Sequence, residues 1–210
     1  GTPKDLNHLD YLAVPINRIT ESVKSFPVPV RFRRQEEVVK LPSTPAFFRL
    51  AGYFLAEGST NERGYLNFSF GIHERKLIDD VKRLLRETLG VTKVDEFPYE
   101  RNHGLSLVVS SARLARAFRQ LFGESAATRR IPQWMMLETP EKQRELILGV
   151  FRGDGNYYNQ LNKHGRKEIF RLSTISPVLA RQLRDVLLRL GIVAFLNTRS
   201  RRHEGRQTMY

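Results

Sequence analysis

The run Leu50-Ala51-Gly52-Tyr53-Phe54-Leu55-Ala56-Glu57-Gly58 has a counterpart 97 positions later, Ile147-Leu148-Gly149-Val150-Phe151-Arg152-Gly153-Asp154-Gly155. Both are apolar helical stretches with small residues four apart, Gly52 with Ala56 and Gly149 with Gly153, so the small positions stack on one helix face. Helices that meet through such faces pack closer than the usual ~8–10 Å. Each run ends in an acid and then a glycine, which is expected as a left-handed stop. A carboxylate in a last turn faces the negative end of the helix dipole, at a cost of ~0.3–1 kcal/mol, and a second one beside it adds repulsion. A purely structural helix would end in Lys or Arg. For one helix alone, a solvated acid beside an ordinary glycine cap explains the pattern. Its repetition favours a divalent cation held between Glu57 and Asp154 by oxygen ligands.

The flanking sequence repeats as well. Thr44-Pro45 is a helix start with Thr44 as N-cap, and a helix is expected over 45–57. A strand near 64–71, an amphipathic helix over 74–89 stopped by Gly90, strands near 91–98 and 105–110, and a helix over 111–122 follow. After 124–139 the order restarts, with a helix over 141–153, strands near 156–161 and 168–174, a helix from Ser176-Pro177 to Gly191, and a strand over 192–198. Gly58 and Gly155 keep the 97-residue spacing, while Gly90 and Gly191 lie 101 apart, the excess falling in the hairpin around Asn162–Lys167. This is a duplicated α+β architecture. It divides into an extension over 1–44, a first repeat over 45–123, a linker over 124–140 and a second repeat over 141–210 that stops short of a final helix. The extension reads as extended and β-rich, since Phe26-Pro27-Val28-Pro29-Val30 is too proline-punctuated for a helix.

Among the 210 residues, 35 Lys and Arg against 22 Asp and Glu give a formal charge of +13. Such a surplus favours a polyanionic partner. With 40% hydrophobic residues the composition is that of an ordinary globular protein. No apolar run approaches the ~20 residues of a membrane span, and the first residues do not form a signal peptide, so a cytoplasmic location is expected. The absence of cysteine excludes disulfides, thiolate metal sites and cysteine nucleophiles. The five histidines show no ligand spacing.

Alternation assigns the polar faces. Leu66, Phe68 and Phe70 form one side of the 64–71 strand, leaving Tyr65, Asn67 and Ser69 on the other. In the second repeat, Asn156, Tyr158 and Gln160 form a similar row, with Arg171 and Ser173 alternating against Phe170 and Leu172. Arg, Asn and Gln are the side chains that read base edges bidentately. Lys163, Arg166 and Lys167 in a loop, and Arg199, Arg201, Arg202 and Arg206, suit phosphate contacts. Arg113, Arg116 and Arg119 read equally as a DNA-facing rim or as solubilising charge. Trp134-Met135-Met136-Leu137 is expected to pack as core.

The paired runs resemble the signature helices of the LAGLIDADG homing endonucleases, in the single-chain, intein-associated dodecapeptide branch. The resemblance extends from about residue 45 to the end, with Glu57 standing where an aspartate is usual. It implies αββαββα half-units, two antiparallel sheets forming a saddle on double-stranded DNA with a long asymmetric target, and a monomer. It further implies Mg²⁺ held by Glu57 and Asp154, with the carbonyls of Ala56 and Gly153 as supplements, and hydrolysis of both strands. Arg129, two residues before Ile131-Pro132, occupies the place of a basic catalytic residue in the family. The extra methylene of Glu57 and the arginine at 129 leave nicking, or a saddle that binds DNA or intron RNA without cutting, as alternatives. Leu9-Asp10-Tyr11-Leu12-Ala13-Val14-Pro15 is similar to intein sequence, so the extension is an intein remnant or a DNA-contacting arm. Self-splicing is not expected without a cysteine or serine nucleophile or a terminal His-Asn.

Overall fold

The computed structural model describes residues 15–99, 103–162 and 165–198. The extension forms an antiparallel hairpin of β1 (Ser25–Phe32) and β2 (Gln35–Pro42). A two-stranded hairpin leaves each strand an open edge, so Pro27 and Pro29 are tolerated. The alternate residues Val28 and Val30, with Leu41 opposite, are buried in the main core.

Helix α1 (Pro45–Glu57) begins where Thr44 Oγ1 accepts from the Phe47 N–H at 3.2 Å. Phe47, Phe48, Leu50, Tyr53 and Phe54 are all buried, so the helix is wrapped on every side. The chain passes directly into β3 (Gly58–Thr60) and β4 (Tyr65–Gly71), which join β5 (Asp95–Tyr99) and β6 (Gly104–Ser110) in an antiparallel sheet of order β3-β4-β6-β5. Helices α2 (Arg75–Leu89) and α3 (Ala112–Phe122) complete the first repeat, and Gly90 (φ 65°) gives α2 its left-handed stop. The rings of Phe54, Phe68, Phe118 and Phe122 join sheet to helices, with Phe54 and Phe118 4.9 Å apart.

A 3-10 turn (Ala126–Thr128) and the short α4 (Gln133–Met136) lead to α5 (Pro140–Asp154), the hairpin β7 (Asn156–Asn162) with β8 (Gly165–Arg171), and α6 (Pro177–Arg189). Met135 is core, as expected, while Trp134 stacks on Phe26 at 4.8 Å and meets Phe48 edge-on. The fully buried Glu138 carboxylate accepts from the Val23 N–H, Ser43 Oγ and Lys142 Nζ, at 2.9, 2.6 and 2.9 Å. Arg189 of α6 donates to the carbonyls of Asn17 and Ile19. The segment before β1 is thereby tied to both helices of the second repeat.

Several expectations need correction. No strand forms over 192–198, where Ile192, Val193 and Phe195 are exposed and no described strand lies beside them to accept a ladder. The strand expected over 168–174 is Gly165–Arg171, because pairing with β7 already begins at Gly165, opposite Asn162. The strand expected from 91 starts only at Asp95, and β3 was not anticipated. Among the described residues no helix is long and apolar enough to cross a membrane.

Candidate active site

Helices α1 and α5 meet through the faces that carry the small residues. A methyl group on Gly52 would overlap the Leu146 carbonyl oxygen and lie 2.9 Å from Gly149 Cα. One on Gly149 would overlap the Arg49 carbonyl oxygen and lie 2.9 Å from the Tyr53 nitrogen. One on Gly153 would lie 2.5 Å from Ala56 Cβ and 3.1 Å from Glu57 Cγ. Backbone thus lies against backbone at Gly52 and Gly149, the contact passes to the side chains of Ala56 and Glu57 at Gly153, and the acids at the two helix ends become neighbours.

Gly58 and Gly155 do not adopt the left-handed stop. Both are extended, at φ −82°, ψ 154° and φ −76°, ψ 144°, so each helix runs straight into a strand. Glycine is needed there for space. A Cβ on Gly58 would strike the ring of Phe54 four residues back, and one on Gly155 would strike Phe151 in the same way.

Burial, then the negative charge of Asp154, then that of Glu74, push the Glu57 carboxyl up to about 7. Asp154 is more open to solvent, and loss of hydration raises it too. Among the described residues no group lowers the pKa of either acid. Two adjacent acids without a counter-charge are a poor structural device and a fitting place for a cation. Among the described residues no cluster of three or more His, Cys, Asp or Glu could hold a metal, so further ligands would have to be backbone carbonyls, water or a bound phosphate.

Arg129 is buried rather than facing an open groove. Its guanidinium donates to the carbonyls of Gly58 and, at 3.3 Å, Gly123, and it lies 4.4 Å over the Phe54 ring. Burial lowers its pKa to about 10, which leaves it charged at neutral pH. Its own carbonyl accepts from Ser176 Oγ at the start of α6, at 2.6 Å.

On β4, Leu66, Phe68 and Phe70 are buried while Tyr65 and Ser69 are exposed and Asn67 is partly exposed, so the alternation holds. In the second hairpin Asn156 pairs with Arg171, Tyr158 with Ile169 and Gln160 with Lys167, which puts these six on one face. Arg171 lies 5.2 Å over the Tyr158 ring. Arg166 belongs to the opposite face, where it bonds Asn159 and pairs with Glu168. That is the side on which Phe170 meets Phe151 of α5, so the expected grouping of Arg166 with Lys167 is corrected by the strand pleat. Ser173 is exposed but beyond the end of β8. Lys163, Arg199, Arg201, Arg202 and Arg206 lie outside the described residues.

Two features of the site carried no sequence signal. Glu74 reaches Glu57 electrostatically from the start of α2, where its carboxylate accepts the Gly71 N–H at 2.6 Å. Asp80 of α2 accepts from Tyr53 on α1, Arg152 on α5 and Arg83, at 3.0, 3.0 and 2.6 Å. It braces the helix pair one turn from the acids.

A family model described as LAGLIDADG-like domain matches residues 45–123 and 141–210. The chain is 31% identical over 159 residues to the ATP-dependent DNA helicase Hel308 of Thermococcus kodakarensis, covering 75% of this chain and 14% of that protein. It is 30% identical over 159 residues to an iron-sulfur cluster assembly SufBD family protein of Mycobacterium bovis, covering 73% and 18%. It therefore spans less than a fifth of these curated relatives. Its fold is similar to the crystal structure of I-DmoI in complex with DNA and Mn, with a TM-score of 0.53 and 13% identity, covering 80% of this chain and 88% of that one.

Proposed function

The chain belongs to the LAGLIDADG family, and from that premise we propose that it is a site-specific endonuclease that hydrolyses double-stranded DNA with Mg²⁺. The observation that carries this reading is the adjacency of Glu57 and Asp154, two acids from separate repeats that no group among the described residues neutralises. The similar I-DmoI structure is a complex with Mn as well as DNA, which supports a divalent cation here. Glu57 and Asp154 would hold it, with the carbonyls of Ala56 and Gly153 in support. When bound, such an ion lowers the pKa of a coordinated water and offsets charge developing on the attacked phosphate. Glu57, raised to about 7, surrenders its proton readily when a cation arrives. Arg129 acts on this site from behind, holding the Gly58 carbonyl and with it the end of α1.

Tyr65, Asn67 and Ser69 on one sheet and Asn156, Tyr158, Gln160, Lys167 and Arg171 on the other face the DNA bases and backbone. The two faces differ in composition, only the second carrying Gln160, Lys167 and Arg171, which suits a long asymmetric target read by a monomer. One module shared by relatives named for a helicase and for iron-sulfur assembly, and occupying a small part of each, supports an inserted, intein-type element.

Selection of cleaved molecules from a randomised duplex library in Mg²⁺ identifies a target and tests the reading. Glu57→Gln and Asp154→Asn should each abolish double-strand cleavage and leave duplex binding intact. Cleavage that survives both substitutions would overturn the assignment. Salt-sensitive binding with no cutting by the wild type would support a binding-only saddle, a reading favoured by the extra methylene of Glu57.

A further inference from the structure

The tip of the β1–β2 hairpin is built against local preference. A two-residue hairpin turn with left-handed backbone at both positions favours Asn-Gly, yet here it is Arg33 (φ 48°) and Arg34 (φ 69°). Holding non-glycine residues in that region costs on the order of 1 kcal/mol each. Both arginines are exposed. Such strain persists where the side chains it presents are useful.

The cations gather as well. The guanidinium groups of Arg33, Arg113 and Arg116 lie 5.2, 5.0 and 5.3 Å from the centre of one ring, Phe32. Arg31 is exposed beside them, and Arg116 donates to its carbonyl. Among the described residues, Arg113 alone of these five arginines has a carboxylate partner, the salt bridge to Glu37. Glu37 offsets one of the three charges on the ring, and the others repel unless a further anion is supplied. Arg113 and Arg116 lie on the first turns of α3, directly after β6, whose last residue Ser110 pairs with Tyr65. Ala112 at the start of α3 also packs against Gly64 in the turn before β4. The cluster therefore lies at the end of the sheet where β4 begins and β6 ends.

We propose that Arg31, Arg33, Arg34, Arg113 and Arg116 form a second phosphate-binding surface, which grips the DNA backbone flanking the segment held by the sheets. This rests on the reading of the chain as a duplex-DNA binder. It gives the strained turn and the crowded guanidinium groups a common purpose, since phosphates relieve the repulsion and released counterions supply the affinity.

The test is a salt titration of binding to a fluorescent random-sequence duplex of about 40 base pairs, comparing wild type with Arg33→Asn/Arg34→Gly. The variant restores the preferred turn, so its melting temperature should match or exceed that of wild type. Removing two phosphate contacts should lower the slope of log K against log salt by ~1.8 and weaken binding about tenfold at physiological salt. Arg113→Gln/Arg116→Gln should act in the same direction. An unchanged slope in both variants overturns the second surface while leaving the endonuclease reading intact. A wild type that does not bind duplex overturns both. Loss of binding to phosphatidylserine vesicles with duplex binding unchanged would overturn the DNA assignment in favour of a lipid surface.

Discussion

Replacing Gly52 with alanine tests the closeness of the helix pair on which the acid pair depends. The added methyl would sit 2.8 Å from the Val150 nitrogen and 2.9 Å from Gly149 Cα, and would overlap the Leu146 carbonyl oxygen. All three are backbone atoms of α5, so no side-chain rotation relieves them. Restoring an ordinary carbon–carbon contact of ~3.5 Å requires the helices to part by roughly 0.6 Å at Gly149, and by more at Leu146. Helix propensity acts the other way, favouring alanine by ~1 kcal/mol. Overpacking a tight core costs ~1–3 kcal/mol, and a backbone-on-backbone clash belongs at or above the top of that range. The net expectation is a loss of about 2 kcal/mol, read from urea denaturation at pH 7. Gly149→Ala should behave alike, and the double variant should cost less than the sum, because the first methyl has already opened the gap for the second. Parting the helices also moves Gly153 away from Glu57, so the rise in melting temperature on adding Mg²⁺ should shrink in Gly52→Ala. A variant as stable as wild type, or more stable by the propensity gain, would refute the close approach.

Two further outcomes concern the charges around the acid pair. Burial and Asp154 raise the Glu57 carboxyl from 4.5 to about 7, so it is neutral in both folded and unfolded states below pH 4.5 and is charged at a cost in the folded state above 7. Without divalent cations, Glu57→Gln should therefore equal wild type in stability at pH 4 and exceed it at pH 8. The gap should be about 1 kcal/mol once solvent screening of a partly exposed group is counted, and a pH-independent difference in denaturation midpoint would contradict the raised pKa. Arg129→Met keeps the buried volume but strips the carbonyls of Gly58 and Gly123 of a charged donor, and should cost ~2–3 kcal/mol in chemical denaturation. A smaller loss than that of an exposed control such as Arg130→Met would deny it the clamping role.

Much of the helix pair was legible because its signal is local and doubled. Small residues at i and i+4 in two matching runs fix which faces meet, and the acids follow from the ends of those runs. The alternation in β4 was equally plain, since one side of that strand is wholly apolar. The backbone of Gly58 was not legible. Acid-glycine after a helix reads as a left-handed stop, and only the ring of Phe54, folded back over it, shows that space rather than φ demanded glycine. The burial of Arg129 was not legible because its sequence position gives its neighbours along the chain, while its partners Gly58 and Phe54 lie about 70 residues away. Arg166 was assigned to a loop because strand pairing begins at Gly165, three residues before the strand expected from 168, and the pleat then sets it on the face opposite Lys167.

The two halves differ in how firmly they hold what they present. The first sheet has four strands, with Leu66, Phe68, Leu107 and Val109 buried against α1 and α3. The described part of the second sheet is the β7–β8 hairpin, on whose helix-side face Leu161 is 85% and Phe170 67% exposed. A lone hairpin is marginal in water, so this face has little of its own to fix it. The acid pair escapes that weakness. Asp154 belongs to the second repeat by sequence, but its position is set by Gly149 and Gly153 against α1, inside the best-packed part of the molecule. Asp80, held by Tyr53 and Arg152, braces the same pair from α2. The acid pair is therefore anchored to the first half, while the residues of β7 and β8 proposed to face DNA stand on a less packed support. Under the proposed function, ordering that support takes part of the free energy its contacts release, so the first sheet should contribute more than the β7–β8 hairpin to holding DNA.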